Sequence, residues 1–60
     1  MVRLLRYPEV SELLGVPITT LRDWRARGVG PRSARVGGRV AYKEADVLAW
    51  VEEQFAADKA

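Results

Sequence analysis

Three residues, Gly15-Val16-Pro17, interrupt an apolar periodicity that is helical on both sides, and this confines the chain to two short helices folded back on one another. Upstream, Val10, Leu13 and Leu14 recur at helical spacing behind Pro8, a residue suited to the first helical position, so a helix is predicted over Pro8–Leu14 with Gly15 as its stop. Glu9 and Glu12 take its outward side, Glu9 near the positive helix end. Downstream, Ile18, Leu21 and Trp24 recur every three residues and predict a second helix over residues 18–27, closed by Gly28, with Arg25 and Arg27 in the last turn. Two short helices joined by so brief a glycine-containing turn have the outline of a helix-turn-helix.

The rest of the chain adds a hairpin and a longer helix. Val29–Ser33 reads as irregular because Gly30-Pro31 is a turn pair. Gly37-Gly38 most easily adopts the positive φ angles of a two-residue hairpin loop, which places arms over Arg35–Val36 and Arg39–Tyr42. Val40 and Tyr42 share one face of the returning arm, Arg39 and Ala41 the other. An isolated hairpin is marginal, so this one is expected to lean on the helices through Val36, Val40 or Tyr42. From Glu44 to Phe55 a third helix is predicted, with Val47, Trp50, Val51 and Phe55 on one face, Leu48 widening it, and Glu44 and Asp46 in the first turn. Ala56 to Ala60 have little to pack against and are expected to fray. The fold class is mainly α: a winged helix-turn-helix with three helices and a two-stranded β-hairpin wing (residues 35–42), in one domain spanning residues 1–60.

Composition narrows the function. A net charge of +2 conceals a division: Arg22 to Lys43 hold seven basic residues against one acidic, and the remaining 38 hold three against seven. Such a division points to one face built for a polyanion. A 60-residue chain has a thin core, and without cysteine or histidine it has neither disulfides nor the usual zinc sites. No apolar run approaches the roughly 20 residues of a membrane span, so the reading is cytoplasmic, DNA-associated and free of cofactors. Glu9, Glu12, Asp23, Glu44 and Asp46 lack a nucleophile or a metal-site spacing beside them, and no enzymatic role or catalytic residue is assigned.

Roles on double-stranded DNA follow from the helix order. The second helix enters the major groove, and with Leu21 and Trp24 inward, Thr19, Thr20, Arg22 and Asp23 face the groove while Arg25 and Arg27 flank it. Arg22 is the first choice for a base contact, since a guanidinium donates two parallel bonds to guanine O6 and N7. Thr19 suits a base or a thymine methyl, and Thr20 a phosphate; the alternative is that both only cap the helix. Asp23 either accepts from a cytosine amino group or pairs with Arg27 four residues on. The wing offers Gly37, Gly38 and Arg39 to the minor groove, and Arg35 and Lys43 join Arg25 and Arg27 as phosphate contacts. Each of these has a plainer reading, as solvated charge or, for the glycine pair, as turn geometry alone. Trp24 and Trp50 read as core rather than base-stacking residues; Tyr7 reads as packing or ligand, and Tyr42 as hairpin support or a phosphate contact through its hydroxyl.

The blocks Pro-Glu-Val-Ser-Glu-Leu-Leu-Gly-Val (8–16), Thr-Leu-Arg-Asp-Trp (20–24), Gly28, Arg-Val-Gly-Gly-Arg-Val-Ala-Tyr (35–42) and Asp-Val-Leu-Ala-Trp-Val (46–51), in that order, resemble the small excisionase-like DNA-binding domains (recombination directionality factors) of the MerR-related winged-helix superfamily. The resemblance spans residues 4–52. It implies groove contacts by Thr19, Arg22 and Asp23, a phosphate contact near Thr20 and a wing contact by Arg39. It also implies DNA bending in support of a phage or element integrase, with head-to-tail self-association on DNA. A small transcriptional regulator of the same fold is the alternative function; a protein-interaction module using the apolar side of the third helix is a third. MerR-type activators continue into a long dimerisation helix that this sequence does not show. Two departures are visible: Pro17 stands where a capping serine is common, and Arg6 or Tyr7 where a threonine opens the first helix, each removing a cap of about 1 kcal/mol.

Overall fold

The computed structural model describes residues 1–58. Within it the interrupted periodicity resolves into α1 (Tyr7–Leu14) and α2 (Ile18–Arg27), one residue longer at the start of α1 than the apolar pattern indicates. The start of α1 has no capping hydroxyl, yet the Arg6 N–H donates to the Glu9 carboxylate at 2.9 Å. Glu9 therefore supplies half of a capping box, and the Arg6 guanidinium has no acceptor with which to return the bond. The turn is closed by Ser11. Its carbonyl accepts from Gly15 N–H at 2.9 Å and Val16 N–H at 3.2 Å, and its hydroxyl donates to the Val16 carbonyl. Gly15 takes φ 71°, the left-handed conformation that lets the chain leave α1 and start α2 three residues later.

Strands β2 (Ala34–Val36) and β3 (Arg39–Lys43) form the wing, with Ala34 opposite Ala41, Arg35 opposite Val40 and Val36 opposite Arg39. Gly37 and Gly38 have φ 62° and 81°, as a two-residue loop with positive φ at both positions demands. The winged helix-turn-helix architecture is thus the one expected, with one addition. Leu4–Leu5 form a short strand, β1, that pairs antiparallel with β3, giving a three-stranded sheet of order β1-β3-β2. This third strand supplies part of the support a lone hairpin lacks. Through it the buried Leu5 joins Val10, Leu21, Tyr42 and Val47 in the core, with Tyr7, Leu14, Val16, Trp24 and Val40 packed around them. Of the three wing residues expected to lean on the helices, Tyr42 is buried and Val40 half-buried, whereas Val36 points outward and is exposed.

Helix α3 (Glu44–Ala57) is longer than the residue 44–55 span, and only part of its apolar stripe is covered. Val47 is fully buried and Trp50 and Val51 are half-buried, while Leu48 and Phe55 are exposed. Leu48 is exposed although Val47 before it is fully buried, so it stands on the side of α3 turned away from the core, and Phe55 lines an open groove with Leu13 at the end of α1. Fraying from Ala56 onward is not seen at Ala56 or Ala57, which are helical; Lys59 and Ala60 lie outside the described residues. Helix α3 begins where the N-terminal arm meets the sheet: Glu44 N–H donates to the Arg3 carbonyl at 2.9 Å and its carboxylate pairs with the Arg3 guanidinium at 2.8 Å.

Candidate nucleic-acid interface

The solvent face of α2 carries the residues expected to read DNA. Thr19, Arg22 and Asp23 are all exposed, and Thr20 is half-buried. Neither threonine caps the helix: the cap position belongs to Pro17, whose carbonyl accepts from the Thr20 and Leu21 N–H groups, and no side chain bonds the helix start. That removes the capping alternative, and neither hydroxyl has a partner among the described residues. Asp23 takes the second of its two readings, pairing with Arg27 at 2.9 Å, i to i+4, with both side chains largely exposed. At such exposure the pair orients Arg27 more than it stabilises the helix.

Arg22 does not float on the helix surface. Its guanidinium carbon stands 5.5 Å from the centroid of the Tyr7 ring, and that ring meets Tyr42 edge-on at 6.1 Å. Tyr7 is therefore a packing residue that also serves as a platform, holding a cation on the side of α2 that faces the wing. Tyr42 is hairpin support: it is 2 % exposed, so its hydroxyl cannot meet a phosphate. Burial pushes its phenol above the usual range, Tyr7 adds to this, and Arg25 and Ser33 oppose it.

On the wing, Arg35 folds across the loop and donates to the Gly38 carbonyl at 3.1 Å. The tip of the wing and the exposed start of α2 then bound a cleft of about 380 Å³ whose lining includes Arg6, Arg22, Arg35 and Arg39 and no acidic residue. Four guanidinium groups from α1's start, the recognition helix and the wing converge there. Gly38 forms part of its edge, and Gly37, exposed, lies at the tip. Arg25, also expected on phosphate, donates to the Ser33 hydroxyl at 3.0 Å and ties α2 to the loop before the wing. Lys43 is not brought to the cleft. It lies at the other end of β3, opposite Leu4, about 13 Å along the strand from Arg39.

Arg6 is the cleft residue the sequence did not reveal. Its guanidinium donates to the Arg39 and Val40 carbonyls at 3.3 and 3.2 Å, bolting the wing to the start of α1 across more than thirty residues of chain. The available signal was an arginine at a cap position where its side chain has no capping use. Arg6→Gln is expected to leave α1 and α2 intact while amide hydrogen exchange in β2 and β3 accelerates by about fivefold, the equivalent of roughly 1 kcal/mol of lost hydrogen bonding. Unchanged wing exchange would show that Arg6 does not hold it.

No helix among the described residues is long and apolar enough to cross a membrane. Comparison with curated proteins and with solved structures gives no match. Residues 4–55, from β1 into the last turns of α3, match the helix-turn-helix domain family. With two short helices joined by a tight turn, a wing and a cleft between them whose charged lining residues are all arginines, the chain belongs to that helix-turn-helix family of DNA-binding domains.

Proposed function

We propose that this protein is a sequence-specific DNA-bending excisionase, an architectural factor that helps a phage or mobile-element integrase run excision. The observation that carries the reading is the convergence of Arg22 from the recognition helix with Arg35 and Arg39 from the wing on one cleft. A duplex seated there offers its major groove to α2 and its neighbouring minor groove to the wing. Thr19, Arg22 and Asp23 then address base edges, with Asp23 free to exchange Arg27 for a cytosine amino group. Thr20, Arg25, Arg27 and Arg35 meet phosphates, and Gly37 and Gly38 let the wing approach the sugar-phosphate wall closely enough for Arg39 to enter the minor groove. Lys43, remote from the cleft, meets a phosphate only if the flanking DNA follows the wing. Bending of that kind is the work an excision factor does, and adjacent copies share its cost.

The test is a footprint on the genomic DNA neighbouring its gene, paired with an excision assay containing the integrase. Several adjacent sites in one orientation and stimulated excision support the proposal; a single operator with paired half-sites and no effect on excision would instead make the protein a transcriptional regulator of the same fold. Arg39→Ala is expected to weaken binding, lower the bend seen by circular permutation, and reduce the salt slope by about 1 from a wild-type value of roughly −4 to −5. An unchanged bend and slope would remove the wing from the mechanism.

A further inference from the structure

Arg22 is oriented without being tied. It is exposed and forms no hydrogen bond or ion pair among the described residues, whereas Arg25 is bonded to Ser33, Arg27 to Asp23 and Arg35 to the Gly38 carbonyl. Each of those bonds spends donors of a guanidinium that has only five. The face of Tyr7, 5.5 Å from the Arg22 guanidinium carbon, fixes that group and spends none. Both donors of a bidentate base contact therefore stay free on a side chain whose position is already set.

What holds Tyr7 holds Arg22. The Tyr7 ring meets Tyr42 edge-on, with 6.1 Å between centroids and 69° between planes, and Tyr42 is buried on β3. Arg6, next to Tyr7 in the chain, donates to the Arg39 and Val40 carbonyls of the same strand. The platform under Arg22 is thus fixed to β3 at two points, and β3 is the strand that carries Arg39 beside the wing loop. Close-packed rings transmit a displacement instead of absorbing it. We propose that Arg6 and Tyr7, side by side at the start of α1, couple the seating of the wing to the reading of a base by Arg22. With the wing seated in the minor groove, β3 and the Tyr7 ring are held and the guanidinium stays aligned with its base; with the wing loose, the alignment is lost. This coupling adds a link between the two grooves and rests on the reading that Arg22 addresses a base edge and Arg39 the minor groove. It makes interdependent two DNA positions whose energies would otherwise add.

The measurement is discrimination at one base pair: the ratio of affinities for a duplex that the wild-type chain selects from a randomised pool and for the same duplex with the Arg22-dependent guanine replaced. Uniform changes in phosphate contact cancel in this ratio. Arg22→Ala identifies the guanine and should abolish the discrimination. Tyr7→Leu should lower it by about two- to fivefold, the scale of an exposed cation–π contact, while Tyr7→Phe, which keeps the ring, should retain it. Arg39→Ala should lower it by about twofold in the wild-type background and not at all in Tyr7→Leu, and Arg6→Gln should act on it as Arg39→Ala does. Urea melts establish that each variant is folded; if Tyr7→Leu is not, Arg6→Gln takes its place as the background to which Arg39→Ala adds nothing. Unchanged discrimination in both Arg39→Ala and Arg6→Gln would overturn the proposal, and so would a loss in Arg39→Ala that persists in the Tyr7→Leu background, since the link would then run through the DNA. Equal losses in Tyr7→Phe and Tyr7→Leu would overturn it as well, by placing the Tyr7 hydroxyl on DNA. Wild-type discrimination in Arg22→Ala is a distinct outcome that refutes the base contact itself, and the coupling with it.

Discussion

Arg22→Ala is expected to produce the largest loss of DNA recognition of any single substitution. A bidentate contact to a guanine edge discriminates by about 1–3 kcal/mol, so affinity for the cognate site should fall by roughly 5- to 150-fold, with base preference relaxed at one or two positions. The structure sharpens this beyond a count of charges. Arg22 is held over the Tyr7 ring at 5.5 Å and lines the cleft with the wing arginines, so its guanidinium is directed before DNA arrives. Arg27, engaged by Asp23, and Arg25, engaged by Ser33, sit on the flank and should each cost less, nearly equally on all sequences. Competition gel shifts on cognate and random duplexes decide the matter: equal losses on both for Arg22→Ala would place this side chain on a phosphate.

The largest loss of stability is expected at a position with no role in binding. Gly30 has φ 81°, and a Cβ built there would lie 2.8 Å from Trp24 Cε3 and 3.3 Å from Trp24 Cβ. Alanine would therefore meet two penalties together, a left-handed backbone and an overlap with a ring that cannot retreat without disturbing its packing on Trp50. These sum to about 2–4 kcal/mol. A domain of this size has only about 3–9 kcal/mol in hand, so Gly30→Ala should unfold in far less denaturant and approach instability at 37 °C. Gly37→Ala is the control: φ is also positive, at 62°, but nothing lies within 4 Å of the added carbon, and the cost should be about 1 kcal/mol. Urea melts followed by tryptophan fluorescence separate the two, and equal losses would refute the steric account.

Most of the fold is legible in the sequence because its signals are local. The Gly15-Val16-Pro17 break, the apolar spacing of Ile18, Leu21 and Trp24, and the Gly37-Gly38 turn each act within a few residues, and each appears where its local geometry requires. The strand at Leu4–Leu5 was not readable. Two residues carry no period, and the strand exists only because β3 offers it a free edge. The same limit applies to α3, whose apolar positions run from Val47 to Phe55 in sequence, although Val47 is fully buried and Leu48 and Phe55 are exposed.

At the interface the division follows the same line. By itself the sequence determined which residues are cationic, that they cluster between Arg22 and Lys43, and that a helix and a hairpin carry them, since composition and short-range periodicity are enough for that. Tertiary structure alone decided that Arg6 bolts the wing to α1, that Tyr7 aims Arg22, that Lys43 stands apart from the cleft, and that Gly30 cannot take a side chain. Except for Lys43, four residues from Arg39 along β3, and for the neighbouring Gly30 and Trp24, these relations join residues separated by a dozen or more positions, and the Gly30–Trp24 contact depends on how the loop folds back over α2. The packing of sheet on helix brings such groups together, and the pattern of residues along the chain does not encode their distance.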